Sequence, residues 1–345
     1  MITPKVTMIV DLQFGSTGKG LIAGFLAKTE KPDVVVTANM PNAGHTYIDE
    51  NGRKWIHKVL PNGIVSPELK KVLIGPGAVF CPDRLYDEYT QSLDIMSKVE
   101  LLIHPNAVPL KNEHRVAEKL EGFESNIGST AQGSAKAMID KINRRNEPNE
   151  PVVARDYRHT TQELPWFDQF VVEHHVYVNA LHTAKRILAE GAQGYSLGIN
   201  QAFYPYCTSR ECTPARFMSD MGIPLPMLAS VVGTARTWPI RVGGRSGGWY
   251  ADQQEAAWAD VGVEPETTTV TGRERRIATF SRMQLFDAIW ECCPDRVFLN
   301  FANYDNDHER EIKTVQINNI FKDLNLPGRV QWLGFGPNHQ DVIEI

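Results

Sequence analysis

A short run of β-forming apolar residues, Val6 to Leu12, breaks into the sextet Gly15-Ser16-Thr17-Gly18-Lys19-Gly20 and resumes as Leu21 to Lys28, whose apolar residues suit a helix. That order of strand, tight loop and helix constrains the fold strongly. A strand feeding a helix in this way belongs to a parallel arrangement, and a parallel sheet needs cover on both faces. Further buried-strand candidates are Val34 to Val36, Val72 to Ile74, Leu101 to Ile103, Val231 to Ala235 and Val297 to Phe301, with helical patterns between several of them. The alternation predicts an α/β fold with a largely parallel central sheet flanked by helices. The segment Phe167 to Ala189 contains a predicted helix with an apolar face and delivers the chain to Glu190-Gly191-Ala192-Gln193-Gly194. Polar Glu147 to Pro151 and glycine-rich Gly243 to Gly248 read as loops. Neither linker composition nor an internal repeat divides the 345 residues, so one elaborated domain over 1–345 is expected.

With 42% hydrophobic and 22% charged residues, the chain can bury a large core. A formal net charge of −5 gives no general electrostatic reason to bind nucleic acid, so the local cluster Arg273, Arg275 and Arg276 points to small anions. The N-terminus lacks a charged-then-apolar signal pattern. The apolar stretch Leu225 to Ala235 falls far short of the ~18 residues of a membrane span, and a cytoplasmic location is expected. Five cysteines without CxxC spacing argue against a disulfide framework or a structural zinc site. His174 and His175 are adjacent on a predicted helix, point to different parts of its surface and make a poor metal pair.

The glycine-rich sextet is the strongest local signal for chemistry. Backbone N–H groups at the start of a helix can face phosphate oxygens, the helix dipole favours negative charge there, and Lys19 adds a formal positive charge. The spacing is shorter than the usual phosphate loop, and Gly20 stands where Ser or Thr would bind magnesium, so a plain glycine-rich turn is the competing reading. Asn42-Ala43-Gly44-His45-Thr46 follows the second predicted strand. A lone His is more often structural than catalytic, and only its neighbours raise His45 above that.

Together these two segments resemble the adenylosuccinate synthetase family, in which the His assists phosphoryl transfer. The resemblance continues through Ile127-Gly128-Ser129-Thr130, Arg144-Arg145, Glu190 to Gly194, Tyr204-Pro205-Tyr206-Cys207-Thr208-Ser209, Arg241-Val242-Gly243, Thr271 to Arg276 and Gly334-Phe335-Gly336-Pro337, in the family's order and over nearly the whole chain. Each piece alone is weak: Gln193 serves equally to satisfy a turn, and Arg273 to Arg276 reads equally as a solvated run.

Carried over by position, the resemblance implies that Ser16, Thr17, Gly18, Lys19 and Gly20 cradle the ATP phosphates, with Gly44, His45 and Thr46 beside them. Asn300, Asn303, Gly336 and Pro337 would complete the ATP site. His45 would stabilise the transferring phosphoryl group, and Gln193 would bond the purine six-position. Asn42, Ser129, Thr130, Thr208, Val242, Gly243 and Arg273 would surround the substrate nucleotide, joined by Arg144 from a neighbouring subunit of a homodimer. Thr271, Arg273 and Arg275 would hold L-aspartate, a task suited to the guanidinium fork. Magnesium would sit against Ser16 and the Gly44 carbonyl.

Three departures modify that picture. Ser16 stands where the family carries the Asp that deprotonates purine N1 and contacts magnesium. The guanine-reading TKxD segment corresponds to Asn300-Phe301-Ala302-Asn303, without the Lys or the Asp. The chain is also shorter than the bacterial enzymes. These departures mark the phage branch that makes 2-aminoadenylosuccinate from dGMP on the route to 2-aminoadenine DNA, using an adenine nucleotide, ATP or dATP, as donor. The smaller Ser opens space beside a guanine 2-amino group while keeping a donor and an acceptor. The resemblance therefore implies ATP-dependent ligation of L-aspartate to C6 of dGMP through a 6-phosphoryl intermediate. Rival readings are an ordinary adenylosuccinate synthetase acting on IMP with GTP, a nucleotide-dependent binding module without ligase chemistry, and a catalytically dead relative.

Overall fold

The central sheet is organised around a strand buried on both faces. The computed structural model describes residues 3–42, 44–144, 150–159, 165–268 and 272–345. Its main sheet contains β1 (Val6–Asp11), β2 (Val34–Thr37), β3 (Lys71–Ile74), β4 (Glu100–Ile103), β5 (Ile187–Glu190), β6 (Leu228–Arg236), β7 (Arg296–Asn300), β8 (Arg329–Gly334) and β9 (Val342–Glu344). Their spatial order is β9-β8-β7-β6-β1-β5-β2-β3-β4. All neighbours are parallel except β8 and β9. Met8 of β1 is level with Val231 of β6 on one side and Ala189 of β5 on the other.

The six strand expectations are met within one to three residues at each end. Phe301 lies just past its strand, with φ 58. The helix expected within Phe167 to Ala189 is His174–Thr183, and the chain then reaches Gln193 through Ile187–Glu190, the central strand β5, which the sequence did not indicate. Leu188 and Ala189 carry no strong β preference, so pairing with β1 and β2 decides their state. Strands β8 and β9 escaped the sequence reading for a similar reason, since β9 exists by pairing with β8.

The helix after the glycine loop, α1 (Lys19–Glu30), begins at Gly18, whose φ of 95 suits glycine. It packs against the hairpin His45–Ile48/Lys54–His57, which carries His45. The approach is close because the helix presents glycines to the hairpin. A Cβ on Gly20 would come within 2.7 Å of the Thr46 backbone, and one on Gly24 would collide with the fully buried Tyr47 ring. Gly24→Ala should therefore lower stability by about 1–3 kcal/mol, the usual cost of overpacking a filled core. Chemical denaturation of the variant beside the wild type checks this, and an unchanged midpoint contradicts it.

Candidate active site

The carboxyl ends of β1, β5, β6, β7 and β2 open onto one cleft of about 970 Å³. Ligands of parallel α/β sheets gather at such edges, where neighbouring strands send their connections in different directions. The cleft brings together Ser16, Gly18, Lys19 and Gly20 of the glycine loop with Asn42, Gly44, His45 and Thr46. Ser129, Thr130, Gln193, Thr208, Val242 and Arg275 also line it, and Asn300, Asn303, Gly336 and Pro337 lie there too.

Beneath the glycine loop sits Asp11, the last residue of β1 and only 1% exposed. Its Oδ1 accepts from the backbone N–H of Gln13 at 2.9 Å and of Gly15 at 3.2 Å. Its Oδ2 accepts from the Thr17 hydroxyl and from Lys19 Nζ, the latter at 2.8 Å. Lys19 Nζ also donates to the Gln193 carbonyl at 2.6 Å. Thr17 is fully buried and pairs with the Thr234 hydroxyl at 2.5 Å, so it braces the loop from below rather than facing the cleft. Ser16 is exposed, held at φ 55 with its carbonyl accepting from Arg236 at 3.3 Å.

His45 is buried against Glu190, the last residue of β5, with Nδ1 and Oε2 3.3 Å apart. The other Glu190 oxygen accepts from the Gly63 N–H at 2.7 Å, which fixes the carboxylate and so the ring. His57, opposite His45 in the hairpin, is held down to about 4 by burial and stays neutral at physiological pH. Gln193 adopts φ 63 at the turn after β5. Across the cleft Asn42 Nδ2 donates to the Thr208 hydroxyl at 3.4 Å.

The arginines divide. Arg275 lines the cleft and bonds Glu266 at 3.1 Å. Arg236, fully buried, also grips Glu266, and its guanidinium lies 3.8 Å from the centre of the Phe301 ring. Arg273 points instead to Glu124 and does not line the cleft. Gly243 packs under the Glu274 carbonyl. Arg144 lies outside the cleft, exposed at the end of the helix Ser134–Asn143, with φ 53. Thr271 lies outside the described residues.

Asn300 lines the cleft, but its carboxamide is already committed. Nδ2 donates to the Thr17 carbonyl at 3.3 Å, and Oδ1 accepts from the Phe301 N–H at 2.8 Å. It clamps the glycine loop to β7. Asn303, Gly336 and Pro337 line the same cleft.

Sequence reasoning missed Asp11, Glu190 as a partner of His45, and the Arg236–Glu266–Arg275 group. Asp11 carried a signal: an acid closing an otherwise apolar strand just before a glycine loop. The Arg–Glu–Arg group had none, because its members are far apart in sequence. Arg241 is buried over the Phe14 ring at 4.4 Å, and its pKa is pulled down to about 10 by burial and then by Arg276.

Burial pushes the Glu266 pKa up, but Arg236 and Arg275 outweigh it, and the carboxyl ends below its ordinary 4.5. A depressed folded value means that the stabilisation is full above 4.5 and is lost as pH falls through and below it. Glu266→Gln should cost about 3 kcal/mol at pH 7, since it strands two guanidinium groups, and the gap to wild type should narrow towards pH 3. Urea denaturation across that range measures it. A gap that does not change with pH counts against the charge assignment.

The adenylosuccinate synthetase family model matches residues 8–148 and 147–303. The chain is 53% identical over 340 residues to N6-succino-2-amino-2'-deoxyadenylate synthase of Vibrio phage phiVC8, covering 98% of this chain and 97% of that one. It superposes, with TM-score 0.88 and 40% identity over 99% of this chain and 95% of the other, on a cyanophage S-2L succinoaminodeoxyadenylate synthetase bound to dGMP and dATP as an energy donor. Fully ligated adenylosuccinate synthetase from Plasmodium falciparum, at 21% identity and TM-score 0.79, shares the fold over 99% of both chains. The matched model and the phage relatives agree, and the chain belongs to the adenylosuccinate synthetase family of carbon–nitrogen ligases.

Proposed function

We propose that this chain joins the amino group of L-aspartate to C6 of dGMP at the expense of ATP or dATP, giving 2-amino-2'-deoxyadenylosuccinate, a nucleoside diphosphate and phosphate. The observation that carries the reading is the neutral Ser16 at the mouth of the glycine loop. Among the described residues that line the cleft, Glu118 is the sole acid. Its carboxylate is consumed by the Gly133 and Ala135 N–H groups at 2.6 and 2.8 Å. No free carboxylate among those residues competes for the space that a guanine 2-amino group needs. The names and bound ligands of the phage relatives support the same substrate and donor.

Chemistry follows in two steps. The purine O6 attacks the γ-phosphorus of the donor, the bond to the diphosphate breaks, and the nucleotide gains a 6-phosphoryl group. Lys19 offsets charge on the phosphates, and His45, oriented by Glu190, donates a hydrogen bond to the transferring group. The L-aspartate amino group then attacks C6, and phosphate leaves with the original oxygen. Arg275 lies in the cleft to hold a carboxylate. Ser16 positions the N1 edge and relays the N1 proton, which is released as O6 attacks, to water, because an ordinary hydroxyl is too weak a base to keep it.

Among the described residues no group of three or more His, Cys, Asp or Glu side chains is placed to hold a metal. The donors near the loop are neutral oxygens, the Ser16 hydroxyl and the Gly44 carbonyl. That set fits magnesium, which keeps several waters and takes its negative ligands from substrate phosphates. Bound there, it would neutralise charge on the donor phosphates.

Initial rates with dGMP and IMP in direct competition, read by mass spectrometry of the succinyl adducts, test the substrate. A preference for dGMP of roughly 10- to 200-fold is expected, and Ser16→Asp should lower turnover of dGMP more than of IMP. A wild-type preference for IMP would overturn the assignment. A second test follows from Arg144, which lies outside this chain's own cleft and is proposed to complete the phosphate site of a neighbouring subunit. Mixing inactive Arg144→Ala subunits with subunits inactivated at His45 should restore activity through mixed dimers, whereas no recovery would refute the shared site.

A further inference from the structure

We propose that Asp11 is a positioning residue for phosphoryl transfer: its buried carboxylate aims the Lys19 ammonium and ties the phosphate loop to the Gln193 turn. The inference rests on the reading that Lys19 meets the phosphates of the donor. Four donors converge on the carboxylate, namely the N–H groups of Gln13 and Gly15, the Thr17 hydroxyl and Lys19 Nζ. Both members of the pair are buried, with side-chain exposures of 4% for Lys19 and 0% for Asp11. At such burial an unpaired charge is costly, so each requires the other.

The ammonium geometry gives the pair its role. Lys19 has three N–H donors, of which one goes to Asp11 at 2.8 Å and one to the Gln193 carbonyl at 2.6 Å. One remains for a ligand in the cleft that Lys19 lines. The side chain is thus held before any phosphate arrives, and preorganised charge of this kind acts on the transition state without reorganisation. The Gln193 turn lies directly on the same carboxylate. A Cβ on Gly194 would come within 2.7 Å of Asp11 Oδ1 and 2.5 Å of the Gly15 nitrogen. Asp11 is therefore the shared floor of the loop that takes the donor phosphates and the turn that takes the purine.

The plainer alternative is that Asp11 only pins the loop, and a double-mutant cycle separates the two. Four full-length proteins are compared: wild type, Asp11→Asn, Lys19→Met and the double variant. Each is assayed with dGMP, ATP, magnesium and L-aspartate for phosphate release, and each is melted. Asp11→Asn should lower kcat about 10- to 100-fold while the KM for L-aspartate moves less than about threefold, because misplaced charge, not lost binding, is the defect. In the Lys19→Met background the same substitution should change kcat little. Melting should reverse sign: Asp11→Asn lowers Tm in the wild type but raises it beside Lys19→Met, where it removes an unpaired buried carboxylate. This last comparison needs no activity and does not require the single Asp11→Asn variant to fold.

A kcat for Asp11→Asn close to wild type overturns the proposal, as do equal proportional losses in both backgrounds or a lowered Tm in both. Lys19→Met turning over at the wild-type rate would instead overturn the reading of Lys19 on which the proposal rests.

Discussion

The glycine loop and the groups that meet it depend on the burial of β1 between two parallel neighbours. With β5 on one side and β6 on the other, the carboxyl end of β1 has no solvent to which it can surrender a polar group. The chain ends that strand on Asp11, and the loop that follows folds over the carboxylate. The glycine loop, the Gln193 turn and α1 then take their places around it. Strand β5 delivers Glu190 to His45, and β6 delivers Arg236 to the Ser16 carbonyl. A parallel sheet thus turns one buried edge into a site by sending five connections over the same strand ends.

Charge inside the cleft is handled by pairing. The chain as a whole carries a formal charge of −5, yet the groups around the cleft include Lys19, Arg236, Arg241 and Arg275. Buried cations are tolerated where an acid or an aromatic face meets them, and Asp11, Glu266 and the rings of Phe14 and Phe301 do so here. The acids are largely spent on these partners and on backbone N–H groups. What the cleft offers an incoming ligand is fixed positive charge and neutral polar groups, which suits anionic nucleotides and an amino acid with two carboxylates.

Close packing sets the precision with which His45 is held. Gly20 and Gly24, one turn apart on α1, let the hairpin approach until Thr46 and Tyr47 touch the helix. The ring of His45 is then fixed by Glu190, itself fixed by the Gly63 N–H. Helix, hairpin and sheet meet at that histidine, and Gly24 packs on the Tyr47 ring of the same hairpin.

The sequence by itself determined the α/β class, most of the strands and the segments that gather at the cleft, because apolar runs and glycine loops are local patterns. Val6 to Leu12 followed by Gly15 to Gly20 can scarcely fold otherwise. Tertiary structure decided what each side chain is free to do. Asn300 belonged to the site by position, but its carboxamide is taken by Thr17 and Phe301; Arg273 turned to Glu124, while Arg275 faces the cleft. Strand β5 exists because β1 and β2 need a partner, and Glu266 matters because two arginines distant in sequence converge on it. Hydrogen-bond partnership and burial are properties of residues far apart along the chain, so a local pattern can name the participants and only the packed fold can assign their bonds.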